Sequence, residues 1–188
     1  MALTTQDRTR RFELLAMPHL DAAYNFARWL VGNPADAEDV VQEAYLRAFR
    51  YFDAYQGGNF RVWLLAIVRN SFITWSRTNR GGRLVFRPDI ADEGGREAQA
   101  LVWSTAPGDP ETLLLRRLDG ETLGRLMQRL PDEYREVLLL REVEDLSYKA
   151  IAEVIGVPPG TVMSRLSRAR AALRKLWLQS EQEAEGEV

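Results

Sequence analysis

The stretch from Ser147 to Lys175, "SYKAIAEVIGVPPGTVMSRLSRARAALRK", leaves few folds open. Ser147 can cap a helix whose inward residues are Ala150, Ile151, Val154 and Ile155. Gly156-Val157 supplies a tight turn, and Pro159 is preorganised for the first turn of the next helix. On that helix Val162, Leu166, Ala169, Leu173 and Trp177 share one stripe, which must face a core. Thr161, Ser164, Arg165 and Arg168 fall on the other face, nearest the N-terminal end. No acid occurs from Pro159 to Leu178. Two helices about a tight turn, the second basic on its outer face, make a helix-turn-helix, whose second helix reads base edges in the major groove. An arginine there can pair bidentately with guanine, worth roughly 1–3 kcal/mol. Arg170, Arg174 and Lys175 are better placed for phosphates.

The remainder reads as helix. "FELLAMPHLDAAYNFARWLVG" spaces its apolar residues three and four apart and stops at Gly32. In "NPADAEDVVQEAYLRAFRYF", Asn33 is the N-cap, Pro34 opens the helix, and Asp36, Glu38 and Asp39 sit near its positive end. "DAYQGGN" is a turn, followed by a long helix over "FRVWLLAIVRNSFITWSRTNR". Residues 81–111 are rich in Gly, Pro and acids and read as a flexible linker, with a short ordered piece near Ala98–Trp103. Helices resume with "ETLLLRRLDGETLGRLMQRL" and "PDEYREVLLLREVED". No run alternates as a strand would. The expected class is all-α: two small helical domains, at 1–80 and 112–180, joined by the acidic linker, with an acidic tail at 181–188.

Composition enters mainly by exclusion. With no Cys and only His19 as histidine, neither thiolate nor His-based metal sites can form, and no cofactor is expected. His19, just after Pro18, reads as a surface or capping residue. No carboxylate cluster at metal spacing, phosphate-binding Gly-Lys loop or nucleophile–His pair supports an enzyme. No apolar run approaches the ~20 residues of a membrane span, and "MALTTQDRTRRFELL" lacks a signal-peptide core, so the expectation is a cytoplasmic protein without membrane insertion.

The net charge is −2, unevenly spread. Phe60 to Arg87 holds Arg61, Arg69, Arg77, Arg80, Arg83 and Arg87 and no acid. Asp89, Asp92, Glu93, Glu97, Asp109 and Glu111 follow, and the tail adds Glu181, Glu183, Glu185 and Glu187. Two basic surfaces about an acidic connector suggest two contacts on one polyanion. The aromatics Phe52, Tyr55, Phe60, Trp63, Phe72 and Trp75 beside these arginines suit an unstacked strand, where stacking supplies roughly 1–3 kcal/mol per base. Trp63, Phe72 and Trp75, at helical spacing with Ile67 and Ile73, read rather as core. On the helix from Ala35, Ala37, Val40, Val41, Ala44, Tyr45, Ala48 and Phe49 form the buried side, and Asp36, Asp39, Gln42, Glu43, Leu46 and Arg47 the other.

"LPDEYREVLLLREVEDLSYKAIAEVIGVPPGTVMSRLSRARAALRK" resembles the fourth conserved region of bacterial sigma factors of the extracytoplasmic-function group, which reads the −35 promoter element. "DAEDVVQEAYLRAFRYF" with "FRVWLLAIVRNSFITWSRTNR" resembles their second region. The resemblance covers about 10–80 and 112–178, in the family's order. It implies that Asp36, Asp39, Gln42, Glu43, Leu46 and Arg47 grip the coiled coil of the largest subunit of core RNA polymerase. The loop "FDAYQGGN" would form a pocket for a flipped −10 base, and the following helix would contact the melted strand, through Phe52, Asp53, Gln56, Gly57, Asn59, Arg61, Arg69, Asn70 and Arg77. The duplex-facing set becomes Tyr148, Lys149, Pro159, Gly160, Thr161, Ser164, Arg165, Ser167, Arg168, Arg170 and Arg174. Promoter DNA and core polymerase are the implied partners, with an anti-sigma factor as a further one. Met163 departs from the family's usual cation, which puts the −35 sequence in doubt. The second proline of "VPPGTV" is also unusual.

The alternative is a conventional helix-turn-helix regulator binding promoters without polymerase. Energetics favour the former. Opening about ten base-pair steps costs roughly 14 kcal/mol, while capturing two bases returns about 2–6 kcal/mol. A chain with one basic reading helix also binds duplex weakly in salt. A larger enzyme that tethers both modules removes both shortfalls. The acidic linker, through Asp89, Asp92 and Glu93, is expected to mimic nucleic acid in a polymerase channel.

Overall fold

The computed structural model describes residues 5–79 and 120–186, and every regular element among them is helical. The linker at 81–111 with its acids and its piece at Ala98–Trp103, the arginines 80, 83 and 87, and residues 111–119 of the helix expected to open at Glu111 lie outside the described residues.

In the first half, α1 spans Thr5–Ala16, α2 Leu20–Val31, α3 Pro34–Arg50 and α4 Phe60–Asn79. The run expected as one helix over 12–32 is broken by a 3-10 turn at Met17–His19. Pro18 has no N–H to donate and its ring crowds the carbonyl four residues back, so the α-helix cannot pass through it. Gly32 ends α2 at φ 98°, donating its N–H to the Arg28 carbonyl at 2.9 Å. Asn33 caps α3 as expected, its Oδ1 accepting the Asp36 N–H at 2.9 Å. The inward stripe of α3 is buried at Ala37, Val40, Val41, Ala44 and Ala48, while Tyr45 and Phe49 are half-buried. Phe12 brings α1 onto this layer, its ring edge-on to Phe49 and Phe52 at 5.2 and 5.3 Å.

In the second half, α5 is Gly120–Arg129 and α6 Asp132–Leu138. Pro131 stands at the N-cap position of α6. The helix expected over 131–145 instead widens into a π-turn at Leu139–Val143, where the Glu144 N–H reaches the Leu139 carbonyl at 3.0 Å. Asp145 then takes φ 47°, a conformation Asp tolerates, and turns the chain. The last two helices are α7, Tyr148–Ile155, and α8, Pro159–Gly186. Residues 181–186 thus continue α8 rather than forming a separate tail.

The fold is all-α, with two helical domains that touch. Phe26, Leu30, Leu64 and Phe72 in one and Val137, Leu140, Ile151 and Leu166 in the other are at most 2% exposed. Each such side chain contributes about 1.5–3 kcal/mol on burial. Across the boundary α4 packs on α7 and α2 on α5. Arg135, 2% exposed, fixes the register. It donates to the carbonyls of Met127 and Leu130 at the end of α5, at 2.8 and 2.9 Å, and to Leu30 at the end of α2, at 2.8 Å. One cation thereby serves the negative ends of two helices. Gln128 adds a bond to the Trp29 carbonyl at 2.7 Å.

Candidate nucleic-acid and partner interfaces

The α3 face is built as expected. Asp39, Gln42, Glu43 and Leu46 are exposed, Leu46 by 57%. Asp36 and Arg47 are half-buried at its ends. Asp36 accepts from the Asn33 side chain, and Arg47 donates to Glu43 at 2.6 Å. Gln42 also borders a groove floored by Tyr24, Val41 and Tyr45 and edged by Asp21 and Glu38. Tyr45 donates to the Ala16 carbonyl at 3.0 Å. Burial, helped by Asp21, pushes its hydroxyl up to about 12, so it stays protonated.

The loop between α3 and α4 presents Gln56, Gly57 and Asn59 to solvent. Gly57 and Gly58 take φ 94° and 96° with open space where a Cβ would stand, so the backbone path itself demands glycine. Tyr55 closes the loop by donating to the Gly58 carbonyl at 2.6 Å. The Asn59 side chain accepts the Val62 N–H at 3.3 Å and caps α4. Asp53 is exposed but holds Arg8 at 3.0 Å. Phe52 is a correction: it is 5% exposed, wedged among Phe12, Tyr55 and Phe60, and cannot stack on a base. His19 caps nothing with its side chain. Its ring stacks on Phe60 at 6.1 Å, and burial, then Arg61, lowers its pKa from 6.5.

On α4, Asn70 and Arg77 are exposed. Phe72 is core, and Trp63 and Trp75 pack half-buried against it, as the helical spacing implies. Two arginines are paired with acids of the second half. Arg61 is half-buried against Glu144, an acid itself 4% exposed. Arg69, expected on the strand-facing surface, is 8% exposed and bonded to Glu136 at 2.6 and 3.1 Å.

The helix-turn-helix follows the sequence closely. The Ser147 hydroxyl accepts the Ala150 N–H at 3.2 Å, Gly156 turns at φ 72°, and Val162, Leu166, Ala169 and Leu173 are buried with Trp177 half-buried. Ala150 is half-buried, and Ala152 takes the inward place beside Ile151. Lys149, Pro159, Gly160, Arg168 and Arg174 are exposed. Thr161, Ser164 and Ser167 are half-buried, Ser164 donating to the Thr161 carbonyl at 3.0 Å. Tyr148, half-buried, lies under the Arg141 guanidinium at 5.5 Å. Arg165 and Arg170 are half-buried, each with a side chain only 15% exposed. Arg165 stands 3.9 Å from Glu133 and 3.8 Å from Glu136, and Arg170 donates to Glu142 at 2.7 Å.

Glu136 therefore touches one arginine from each half. Burial raises its pKa, against the pull of Arg69 and Arg165. Its role was not read from the sequence, although a signal was there: it precedes Leu139 and Leu140 by three and four residues, which sets a carboxylate on the apolar stripe.

Known proteins match both halves. Residues 15–81 match the family model for Sigma-70 region 2 and residues 120–173 that for Sigma-70, region 4. The ECF RNA polymerase sigma factor SigE of Mycolicibacterium smegmatis is 35% identical over 160 residues, 85% of this chain and 59% of that protein's length. The RNA polymerase sigma-H factor of Pseudomonas aeruginosa is 34% identical over 170 residues, 88% of this chain and 86% of that one. The sigma factor RpoE of Bartonella quintana, solved in complex with the anti-sigma factor NepR, superposes with a TM-score of 0.65 at 27% identity, covering 89% of this chain and 97% of that one. With both regions present in order and the relatives alike over most of its length, the chain belongs to the extracytoplasmic-function family of bacterial sigma-70-type RNA polymerase sigma factors.

Proposed function

We propose that the chain is a promoter-specificity subunit that joins core RNA polymerase, reads a −35 duplex with α8 and holds the melted −10 strand with the loop before α4. The α3 face, charged around one exposed leucine, suits the coiled coil of the largest polymerase subunit. Gln56, Gly57, Asn59, Asn70 and Arg77 are exposed on the side proposed to meet a single strand, and Lys149, Gly160, Arg168 and Arg174 on the side proposed to meet a duplex. The domains run over 1–80 and 112–180 on this reading. The chain performs no catalysis of its own and works in the cytoplasm, where the polymerase is. Among the described residues no helix is long and apolar enough to cross a membrane. An anti-sigma factor is a further partner, as for the Bartonella relative.

The single observation that carries this reading is the order on one chain: a Sigma-70 region 2 match over 15–81, then a Ser-capped, Gly-turned helix-turn-helix inside a region 4 match over 120–173. The test is transcription from a matched −35/−10 promoter library by bacterial core polymerase with and without the chain. New start sites that depend on it are expected. Absence of new starts together with tight duplex binding by the chain alone would favour the conventional regulator.

A further inference from the structure

The loop before α4 is gripped at its entry by α1, a helix that begins ahead of residue 15, where the Sigma-70 region 2 match starts. Arg8 reaches from α1 to the negative end of α3. Its Nη2 donates to the Phe49 carbonyl at 2.6 Å and stands 3.5 Å from that of Arg50. Its guanidinium lies over the Phe49 ring, 4.4 Å from the centroid. From this seat its Nε donates to Asp53 Oδ1 at 3.0 Å. The Arg8 side chain is 23% exposed and that of Asp53 76%.

One turn along α1, Phe12 meets the Phe52 ring edge-on at 5.3 Å, and the Arg11 guanidinium stands 5.6 Å from the same ring. So α1 holds two consecutive residues in opposite ways: Phe52 by a ring turned inward, Asp53 by a carboxylate turned outward. Together they open the 3-10 turn Phe52–Ala54, from which the loop departs. The apolar contact fixes where that turn sits and keeps the fold closed. The carboxylate, tied to a guanidinium seated on α3, fixes how the turn is rotated about Phe52. An exposed ion pair alone contributes little to stability, so this tie matters for direction rather than for folding. The far end of the loop is fixed by the Asn59 cap and the buried Phe60. Between the two ends Gly57 and Gly58 meet nothing where a Cβ would stand, so the ends set the course of the backbone.

We propose that Arg8 is a positioning residue for −10 recognition: through Asp53 it sets the course of the loop at 56–59, and with it the base preference there, without touching the strand. Asp53 is then the receiver of this anchor rather than a reader of bases. The proposal rests on the functional reading above and adds α1 to the parts that determine specificity.

The test uses the full chain and two readouts. The first needs no DNA: the backbone amide resonances of Gly57 and Gly58 should move in Arg8→Met and in Asp53→Ala, while those of Gly32 and Gly156 stay. The second is transcription by core polymerase from a library with a fixed −35 element and a randomised −10 element. At the position most selective in the parent, the ratio of starts between best and worst base should fall at least threefold in Arg8→Met. Preference at −35, from the converse library, and binding to core polymerase should change less than twofold. Arg8→Met with Asp53→Ala should lose no more than Arg8→Met alone, as expected of one coupled pair. Asp53→Asn keeps the Oδ1 acceptor and should regain at least half of the ratio that Asp53→Ala loses. Arg10→Met removes the same charge from an exposed site two residues away and should lower the ratio less than twofold. If Arg8→Met loses helical circular dichroism, Asp53→Ala carries both readouts. Unmoved glycine amides overturn the anchor. Fewer starts at every promoter with an unchanged ratio, the result of a merely structural contact, overturn the role in specificity. A new preferred base in Asp53→Asn makes Asp53 a direct reader and overturns the proposal as well. Moved amides in a parent that yields no promoter-dependent starts uphold the anchor and overturn the functional reading instead.

Discussion

Arg69 donates from Nε to Glu136 Oε2 at 2.6 Å and from Nη2 to Oε1 at 3.1 Å, joining residues 67 apart in sequence. Their side chains are 10% and 6% exposed, so the pair is screened little by solvent. Removing one partner of such a pair strands a buried charge and costs about 3–5 kcal/mol, whereas replacing both with apolar groups is often neutral or better. Arg69→Ala and Glu136→Ala should each lower the free energy holding the two halves together by that amount, and Arg69→Met with Glu136→Leu should recover most of it. Urea titration followed by circular dichroism checks this. Single variants within about 1 kcal/mol of the parent would show that water already reaches the pair.

Gly156 has the simplest prediction. It turns the helix-turn-helix at φ 72°, and a Cβ built there meets nothing within 4 Å. Any cost of substitution is therefore conformational. Gly156→Ala should destabilise the chain by about 1–2 kcal/mol, Gly156→Asn by less, and Gly156→Val by more, because a β-branched residue tolerates the left-handed region least. Thermal melts of the three variants give the order. An alanine variant as stable as the parent would mean that the turn relaxes out of that conformation.

Those two sites mark how far the sequence could be read. Features marked by one residue type at one position were legible: the Ser147 and Asn33 caps, the Gly32 and Gly156 stops, the α3 face and the α8 stripe. Each follows from residues within one or two turns of one another. Pro18 was legible too, but the apolar spacing on either side ran through it and hid the 3-10 turn. The π-turn at Leu139–Val143 has no comparable mark, since its residues suit an α-helix. Phe52 was read among the aromatics available to a base because composition cannot say which of Phe12, Phe52 and Phe60 forms the floor. The largest departure, the pairing of Arg61, Arg69, Arg165 and Arg170 with acids, depends on contacts between elements, and of the four acids Glu133, Glu136, Glu142 and Glu144 the last three lie on the segment from 136 to 144. Periodicity shows that Arg165 is off the apolar stripe. It does not show what stands opposite.

His19 offers a local probe of the α4 start, because it is the only histidine and gives an unambiguous imidazole signal. Its pKa is lowered from 6.5, first by burial and then by Arg61. A histidine whose folded-state pKa is depressed stabilises the fold above its unfolded value, and that contribution fades as pH falls through the lower folded value. The NMR titration midpoint should therefore lie below 6.5 in the parent. Arg61→Met should raise it part of the way and leave it below 6.5, because packing on Phe60 remains. Full return to 6.5 in that variant would make Arg61, rather than burial, the main cause.

Met163 stands on the outer face of α8, where a base-reading side chain is expected. It is 52% exposed on α8, two residues before Arg165 and five before Arg168. A thioether side chain can lie against a thymine methyl but cannot donate to a base edge, whereas arginine pairs with guanine O6 and N7. On the functional reading proposed above, Met163→Arg should shift one −35 position toward guanine by roughly tenfold, about 1.4 kcal/mol, within the range for one bidentate contact. Neighbouring positions read by Arg168 should keep their preference, since well-separated base contacts act nearly independently. Selection from a randomised −35 library, with core polymerase present so that start sites report binding in the working complex, gives both results at once. An unchanged motif would place Met163 away from the bases, and a change spread over every position would mean that the arginine had shifted the whole helix in the groove.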